Sequence, residues 1–270
     1  QYLSECDGWI TKNSYYQPLT SFIQNLDDVI DIDYSFVNID DYAMAEAFSP
    51  HARPNRKCFF LMTSRGCPYA CNFCNNNKIH GKTIRYASVD RIIAHVKFLI
   101  EKYGMETLII YDDQLLLNTE RAKELFGRLI PFGLRIENPN GLSVAFIDDE
   151  LTSLMKQAGV DTAYLAIESG SPYVLHELIN KPFKLSQSKT AVDALRKSDI
   201  FVLGFFVIGY PGETDEHRRE TMQFIKDVDL DWASFNPATP VIGSKLYDDC
   251  IKKNSNLINR NSLLKCFKKE

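Results

Sequence analysis

Three of the chain's seven cysteines lie within eight consecutive residues, as Cys67, Cys71 and Cys74. They follow an apolar run at 58–62. Thiolates are soft metal ligands, and cysteines three and four residues apart on one loop can turn their sulfurs onto a single iron–sulfur cluster. A four-iron cluster held by three thiolates keeps one iron without a protein ligand, much as an open coordination position marks a catalytic zinc. The spacing therefore predicts a redox-active loop whose cluster can bind a small molecule directly.

Two other uses of the cysteines compete with this interpretation. A structural zinc site needs a fourth ligand, and the nearest candidate is His80, six residues after Cys74. A disulfide framework fits poorly with an odd cysteine count in a chain of 270 residues. The remaining cysteines are scattered along the chain: Cys6, Cys58, Cys250 and Cys266. An iron–sulfur cluster fits the spacing best, with zinc as the alternative.

Apolar runs that fit buried strands alternate with segments of helical spacing. Ser88, Asn118 and Asp148 are candidate helix N-caps, and Gly104 and Gly159 can end helices. Alternating strands and helices without hairpin turns predict a parallel sheet with right-handed crossovers. We predict an α/β fold, a partial (β/α)6 TIM-like barrel with its chemistry at the carboxyl ends of the strands. The strands predicted after the cysteine loop are 107–111, 142–146, 162–167, 201–208 and 232–235.

The cysteine segment resembles that of the radical S-adenosylmethionine (SAM) superfamily, both in its spacing and in the aromatic residue before the last cysteine. It reads Ser64-Arg65-Gly66-Cys67-Pro68-Tyr69-Ala70-Cys71-Asn72-Phe73-Cys74. The resemblance implies that Cys67, Cys71 and Cys74 hold a 4Fe–4S cluster whose open iron chelates the amino and carboxylate groups of SAM. It also implies that the Phe73 backbone lies near the adenine.

Two carboxylates, Asp112 and Asp113, follow the strand predicted at 107–111. One use for them is capping of the next loop, and another is to accept hydrogen bonds from an ammonium group. In the cobalamin-associated group of the superfamily, this pair resembles the glycine-glycine-glutamate element that holds the methionine amino group. No glycine pair precedes the acids here, so the sequence leaves open which of them makes the contact.

Glu168 follows the strand predicted at 162–167, where a charge at the edge of a core needs a partner. A ribose diol would serve, and so would a salt bridge to a barrel residue such as Arg85. The segment Glu168-Ser169-Gly170-Ser171 resembles the family's Glu-Ser-Gly-Ser element, which assigns Glu168 to the ribose. The other residues that the resemblance brings to the cofactor site are Ser143, Ser169 and the backbone of Ile208.

Residues 1–55 show no sustained period and are predicted to form an extended linker. This segment resembles the connector between the cobalamin-binding domain and the barrel in cobalamin-dependent radical enzymes. Its matching elements are Gly8-Trp9-Ile10, Gln17-Pro18-Leu19, Leu26-Asp27 and Asp40-Asp41-Tyr42. Because the chain begins at Gln1 rather than Met, we expect a fragment that lacks an upstream cobalamin-binding domain. The predicted organisation is a linker at 1–55, the barrel at 56–248 and a C-terminal extension at 249–270.

Charge and hydropathy restrict the partners. A net charge of −4 argues against a nucleic-acid groove, which would need a basic face. No apolar run approaches the length of a membrane span. Clustered thiols that must stay reduced favour a cytoplasmic location.

The resemblance implies an enzyme that cleaves SAM reductively to a 5′-deoxyadenosyl radical. The cobalamin-associated group methylates or rearranges small molecules and natural products, and its enzymes need an electron donor such as flavodoxin or ferredoxin. Methyl transfer through cobalamin is the leading hypothesis. The alternatives are a transfer-RNA methylthiotransferase, which would need a basic tail, and a non-catalytic iron–sulfur electron-transfer module.

Overall fold

A computed structural model describes residues 22–29, 32, 34–42 and 56–253. Its strands are β1 (Cys58–Leu61), β2 (Ser64–Arg65), β3 (Arg85–Tyr86), β4 (Thr107–Ile110), β5 (Arg135–Glu137), β6 (Thr162–Glu168), β7 (Phe201–Ile208) and β8 (Trp232–Pro237). Its α-helices are α1 (Asn76–Ile79), α2 (Val89–Tyr103), α3 (Thr119–Leu129), α4 (Asp149–Ala158), α5 (Ser186–Lys197), α6 (Asp215–Val228) and α7 (Lys245–Lys253). A short π-helix, Val174–Leu178, lies between β6 and α5.

The longer strands form two parallel sheets that are joined into one arc. β1, β4 and β5 pair in that order, as do β6, β7 and β8. A parallel bridge between Leu142 and Leu165 connects the chain after β5 to β6. β2 and β3 form a separate antiparallel ladder. Six parallel strands that alternate with helices confirm the predicted partial barrel.

The third strand of the arc lies earlier in the chain than the sequence pattern indicates. The strand predicted at 142–146 is wrong, because only Leu142 forms a bridge and Val144–Phe146 is a 3-10 turn. Gly141 precedes this stretch with a φ of +88°, which turns the backbone out of the extended conformation. Leu142 and Val144 are nevertheless buried, which explains why this stretch has the apolar pattern of a buried strand.

The third strand of the arc is β5, and its two charged residues do not fit the apolar pattern expected of a buried strand. Arg135 Nη2 lies 2.8 Å from Glu137 Oε1, and the Tyr164 hydroxyl donates to Glu137 Oε2 at 3.0 Å. Glu137 is buried, so these partners compensate for the loss of its hydration. Ile136, between the two charged residues, points into the apolar core.

Alternate strand residues pack against the helices, and the helix ends follow the predicted capping residues. Ser88, Asn118 and Asp148 each accept a hydrogen bond from a backbone N–H in the first turn of a helix. Gly104 and Gly159 end α2 and α4 in the left-handed conformation. The strand side chains in this core include Phe59, Leu108, Ile110, Ile136, Leu165, Val202 and Phe206. These side chains form the packed layer between the strands and the helices.

Part of the predicted linker is described, and it packs on the barrel. Its 3-10 turns are Leu26–Asp28, Tyr34–Phe36 and Ile39–Tyr42. Leu26 is buried in the main core, and Asp27 Oδ1 accepts a hydrogen bond from the Ser88 N–H at 2.7 Å. The rest of the predicted linker, with its elements at residues 8–10 and 17–19, lies outside the described residues.

At the other end, α7 crosses the predicted boundary between the barrel and the extension at 249–270. Residues 254–270 of that extension lie outside the described residues. Within the part of the chain that the structure describes, no helix has the length and apolar character needed to cross a bilayer.

Candidate active site

The cysteine loop lies at the carboxyl edge of the barrel. Cys67, Cys71 and Cys74 are free, partly buried thiols, and all three line one cavity of about 180 Å³. Asp113, which follows β4, and Glu168, at the end of β6, line the same cavity. This is the edge at which barrel folds carry their chemistry. The structure therefore brings the three thiols together with two of the predicted acids.

Backbone and side-chain hydrogen bonds through Asn72 hold the loop in place. Its N–H donates to the Ile179 carbonyl at 2.8 Å, and its own carbonyl accepts from the Leu246 N–H at 2.8 Å. Its side-chain Nδ2 donates to the Leu178 carbonyl at 2.7 Å. The loop is thus fixed between the end of the π-helix and the start of α7, two elements far apart in the sequence.

Burial favours the neutral form of the three thiols. Desolvation raises the pKa of Cys67, Cys71 and Cys74, and it raises that of Cys71 to about 11. The ammonium group of Lys181 acts in the opposite direction on all three. Because the thiolate is the metal ligand, loading of a cluster must release protons at this site.

Lys181 is a buried cation of the cavity that the sequence analysis missed. Its Nζ donates to Glu168 Oε1 at 3.0 Å, and the two side chains are only 11% and 10% exposed. Burial alone would lower the pKa of Lys181, but Glu168 and Cys71 outweigh that effect and raise it. Glu168 therefore pairs with Lys181 and not with Arg85, the partner considered from the sequence. Arg85 Nη1 instead donates to the Ile23 carbonyl at 2.6 Å.

The backbone at Glu168 is unusual for a strand residue. Its φ is +72°, and the register between β6 and β7 shifts between Ala166 and Glu168. Irregularities of this kind re-aim side chains and are common beside active sites. Here both Ala166 and Glu168 line the cavity, although they lie at the end of a buried strand.

The structure separates the roles of the two adjacent aspartates. Asp112 is buried and accepts hydrogen bonds from the Thr63 N–H and hydroxyl, both at 2.5 Å, and from the Ser64 hydroxyl at 2.7 Å. Burial raises the pKa of Asp112 although these bonds oppose the shift. Asp113 lines the cavity and Asp112 does not. Asp112 therefore fastens the start of the cysteine loop, whereas Asp113 is the member of the pair that borders the cavity.

The other predicted cofactor residues divide in the same way. Phe73 and Ser143 line the cavity, whereas Ser169 and Ile208 do not. Ser169 Oγ accepts from the Ser171 N–H at 3.1 Å and lies 3.3 Å from the Thr221 hydroxyl on α6. The Ile208 carbonyl accepts from the Ala238 N–H at 2.8 Å.

His80, the candidate fourth zinc ligand, does not line the cavity that the three thiols share. Its Nδ1 lies 2.7 Å from Asp113 Oδ2. Among the residues that the structure describes, no three Cys, His, Asp or Glu side chains converge closely enough to hold a single metal ion. A cluster places less demand on convergence, because each thiolate binds a different iron.

Gly66, next to Cys67, has a backbone conformation and a close neighbour that leave no room for a side chain. Its φ is +107°, and a Cβ at this position would lie 2.4 Å from the Thr83 carbonyl oxygen. We expect Gly66→Ala to destabilise the iron-free protein by about 2–4 kcal/mol, because strain and a backbone collision add together. Chemical denaturation measures the change. Gly133→Ala is the matched control, since Gly133 also has a positive φ but has open space around it; equal losses for the two variants would contradict the collision.

Three thiols in one cavity at the carboxyl ends of barrel strands are typical of barrel enzymes that bind an iron–sulfur cluster. Within that class, the family model described as the radical SAM superfamily matches residues 61–225, more than half of the chain. The chain belongs to the radical SAM superfamily. Membership implies a 4Fe–4S cluster and SAM as the cofactors of this barrel, as the cysteine motif predicted.

Two curated relatives support the same placement. An uncharacterized methyltransferase of Pyrococcus horikoshii is 35% identical over 239 residues, which cover 88% of this chain and 50% of that protein. Cytidylyl-2-hydroxyethylphosphonate methyltransferase of Streptomyces wedmorensis is 31% identical over 242 residues, covering 87% of this chain and 45% of that one. The chain thus spans about half the length of these relatives.

A solved structure shares the fold. The radical SAM methyltransferase TsrM of Kitasatospora setae, solved with cobalamin and a [4Fe–4S] cluster, matches with a TM-score of 0.62 at 18% identity. The match covers 71% of this chain and 37% of TsrM. At this identity the similarity establishes the fold alone.

Proposed function

We propose that the chain is the catalytic barrel of a methyltransferase that cleaves SAM reductively and transfers a methyl group through cobalamin to a small molecule. The observation that carries the proposal is the single cavity shared by three thiols, Asp113, Glu168 and Lys181. The methyltransferase names of both curated relatives support the reaction type. In this proposal cobalamin is bound by a domain outside the described residues.

The donor set fits an iron–sulfur cluster. Cys67, Cys71 and Cys74 supply three soft ligands on one anchored loop, and the Lys181 ammonium favours their deprotonated forms. When bound, a cluster with one open iron supplies the electron that cleaves SAM to methionine and a 5′-deoxyadenosyl radical. The protein's part is to bind SAM in one orientation and to exclude water from the cavity.

Charged side chains of opposite sign line the cavity, and together they could pair with the two charged groups of a zwitterionic ligand. Asp113 is suited to the ammonium group of the methionine moiety, and Lys181 to its carboxylate. Glu168 Oε1 is held by Lys181, so the carboxylate is fixed and can accept hydrogen bonds from the ribose hydroxyls. Phe73 and Ser143 line the same cavity and complete the proposed SAM site.

The two aspartates allow a direct test of this assignment. We expect Asp113→Asn to weaken SAM binding by about tenfold or more, because the ammonium loses its anionic partner. Asp112→Asn should instead lower the free energy of unfolding by about 2–4 kcal/mol, since an amide nitrogen would face the donors of Thr63 and Ser64. Dialysis with labelled SAM measures the first change and denaturation the second. The assignment would be reversed if Asp112→Asn were stable and bound SAM poorly.

The reaction itself is tested with anaerobically reconstituted protein, a chemical reductant and SAM. The proposal predicts 5′-deoxyadenosine from the chain itself, and transfer of a labelled methyl group from SAM to cobalamin when the protein used carries the proposed cobalamin-binding domain. If a fully loaded cluster gives neither product, the electron-transfer module becomes the better interpretation. If 5′-deoxyadenosine forms without methyl transfer although that domain has bound cobalamin, the protein is a radical SAM enzyme of another reaction type.

A further inference from the structure

Two side chains that have no assigned contact with SAM hold the Asp113 carboxylate in place. Asn76 Nδ2 donates to Oδ1 at 2.7 Å, and His80 Nδ1 lies 2.7 Å from Oδ2. The Asp113 side chain is only 3% exposed, so few positions are open to it. Each carboxylate oxygen therefore has one fixed partner, and together the two partners set the plane of the carboxylate.

His80 differs from Asn76 in its relation to the cavity. Asn76 lines the cavity. His80 does not line it, although it contacts the Asp113 carboxylate. The backbone of His80 is itself fixed, because its carbonyl accepts a hydrogen bond from Arg85 Nη2. Arg85 is buried, donates through Nη1 to the Ile23 carbonyl and lies 5.0 Å from the centre of the Phe22 ring.

We propose that His80 is a positioning residue for SAM, which orients the Asp113 carboxylate through its Nδ1 atom. The proposal rests on the proposed role of Asp113 as the partner of the SAM ammonium group. His80 Nδ1 donates its proton to Oδ2, which leaves the remaining lone pairs of the carboxylate for the ligand. Arg85 and residues 22–23 anchor the backbone from which the imidazole reaches Asp113.

The geometry specifies which replacement can substitute for the imidazole. An asparagine side chain can place its amide nitrogen near the position of Nδ1, whereas a glutamine nitrogen falls near Nε2. The contact in this structure uses Nδ1. His80→Asn should therefore preserve the hydrogen bond to Asp113, and His80→Gln and His80→Ala should lose it.

The test is the affinity of the anaerobically reconstituted protein for labelled SAM, measured by equilibrium dialysis alongside the iron content. We expect His80→Ala and His80→Gln to weaken SAM binding about five- to tenfold, because the Asp113 carboxylate stays in place but loses one of the two bonds that orient it. His80→Asn should bind within about twofold of the unchanged protein. Lys82→Ala, an exposed residue of the same loop, is the matched control and should bind normally.

The outcomes separate this inference from the proposed function. If His80→Ala binds SAM normally while Asp113→Asn binds poorly, His80 has no positioning role and the SAM site stands. If Asp113→Asn also binds normally, the assignment of Asp113 itself is wrong. If His80→Ala loses iron, its SAM affinity no longer tests the proposal, and His80→Asn is used instead. A His80→Asn variant that keeps its full iron content but binds SAM as weakly as the alanine variant would refute the role of Nδ1.

Discussion

Replacing Cys71 with alanine is expected to remove the cluster and abolish SAM cleavage, with a loss of about 10³-fold or more. Burial raises the pKa of Cys71 to about 11, and this residue lies on the loop that Asn72 fastens to two distant elements. Without it, two thiolates remain, too few to hold a four-iron cluster with one open corner. Iron content, the visible absorption of the reconstituted protein and 5′-deoxyadenosine formation are the measurements.

The fold should survive this substitution. The loop lies at the strand ends, outside the layer of side chains between sheet and helices, so the iron-free variant should keep its unfolding free energy within about 1 kcal/mol. Cys250→Ala is the matched control: this partly buried thiol packs against the same small apolar cluster as Phe73 but lies outside the cavity lining. Loss of iron in the Cys250 variant, or global unfolding of the Cys71 variant, would contradict the assignment.

Replacing Lys181 with methionine is expected to affect stability and SAM binding together. The substitution leaves Glu168 buried without its cationic partner, which should cost about 3–5 kcal/mol in unfolding free energy. It also removes the proposed partner of the SAM carboxylate, so SAM binding should weaken by about tenfold or more. Thermal denaturation and equilibrium dialysis report the two effects separately.

A double variant distinguishes the structural role of Lys181 from its role in binding. Lys181→Met combined with Glu168→Gln removes both charges, so most of the lost stability should return. SAM affinity should stay low, because the cation is still missing and the proposed carboxylate partner of the ribose is now an amide; the single variant Glu168→Gln shows how much of the loss comes from the ribose contact. Lys189→Met is the control: Lys189 forms an exposed pair with Asp193 on α5, and its loss should cost no more than about 0.5 kcal/mol. Normal SAM binding by the double variant would show that Lys181 serves only to neutralise Glu168.

The cysteine motif is the part of the site that the sequence predicts best. Its three cysteines are close together in the sequence, so their spacing alone predicts that they can reach one cluster. The capping residues Ser88 and Asp148 are local in the same sense, and both helices begin where the sequence predicts. Such features depend on neighbours three or four residues away, which a single sequence displays directly.

The residues that the sequence could not assign depend on distant partners. Asp112 and Asp113 are chemically identical, and only their packing against Thr63 and His80 shows which of them lines the cavity. Lys181 follows a π-helix, and nothing in its neighbouring sequence ties it to cysteines more than a hundred residues earlier. The strand β5 was missed because a buried, paired Glu137 violates the apolar pattern of a parallel strand.

By itself, the sequence determined the alternation of strands and helices and the superfamily, and it predicted which three cysteines hold the cluster. Local spacing and hydrophobic periodicity encode these properties, and both can be read along the chain. Only the tertiary structure decided that Lys181 is the partner of Glu168, that Asp113 and not Asp112 lines the cavity, and that His80 contacts the Asp113 carboxylate. Those contacts arise where separate strands end at one edge of the barrel, and no periodicity along the chain records which side chains meet there.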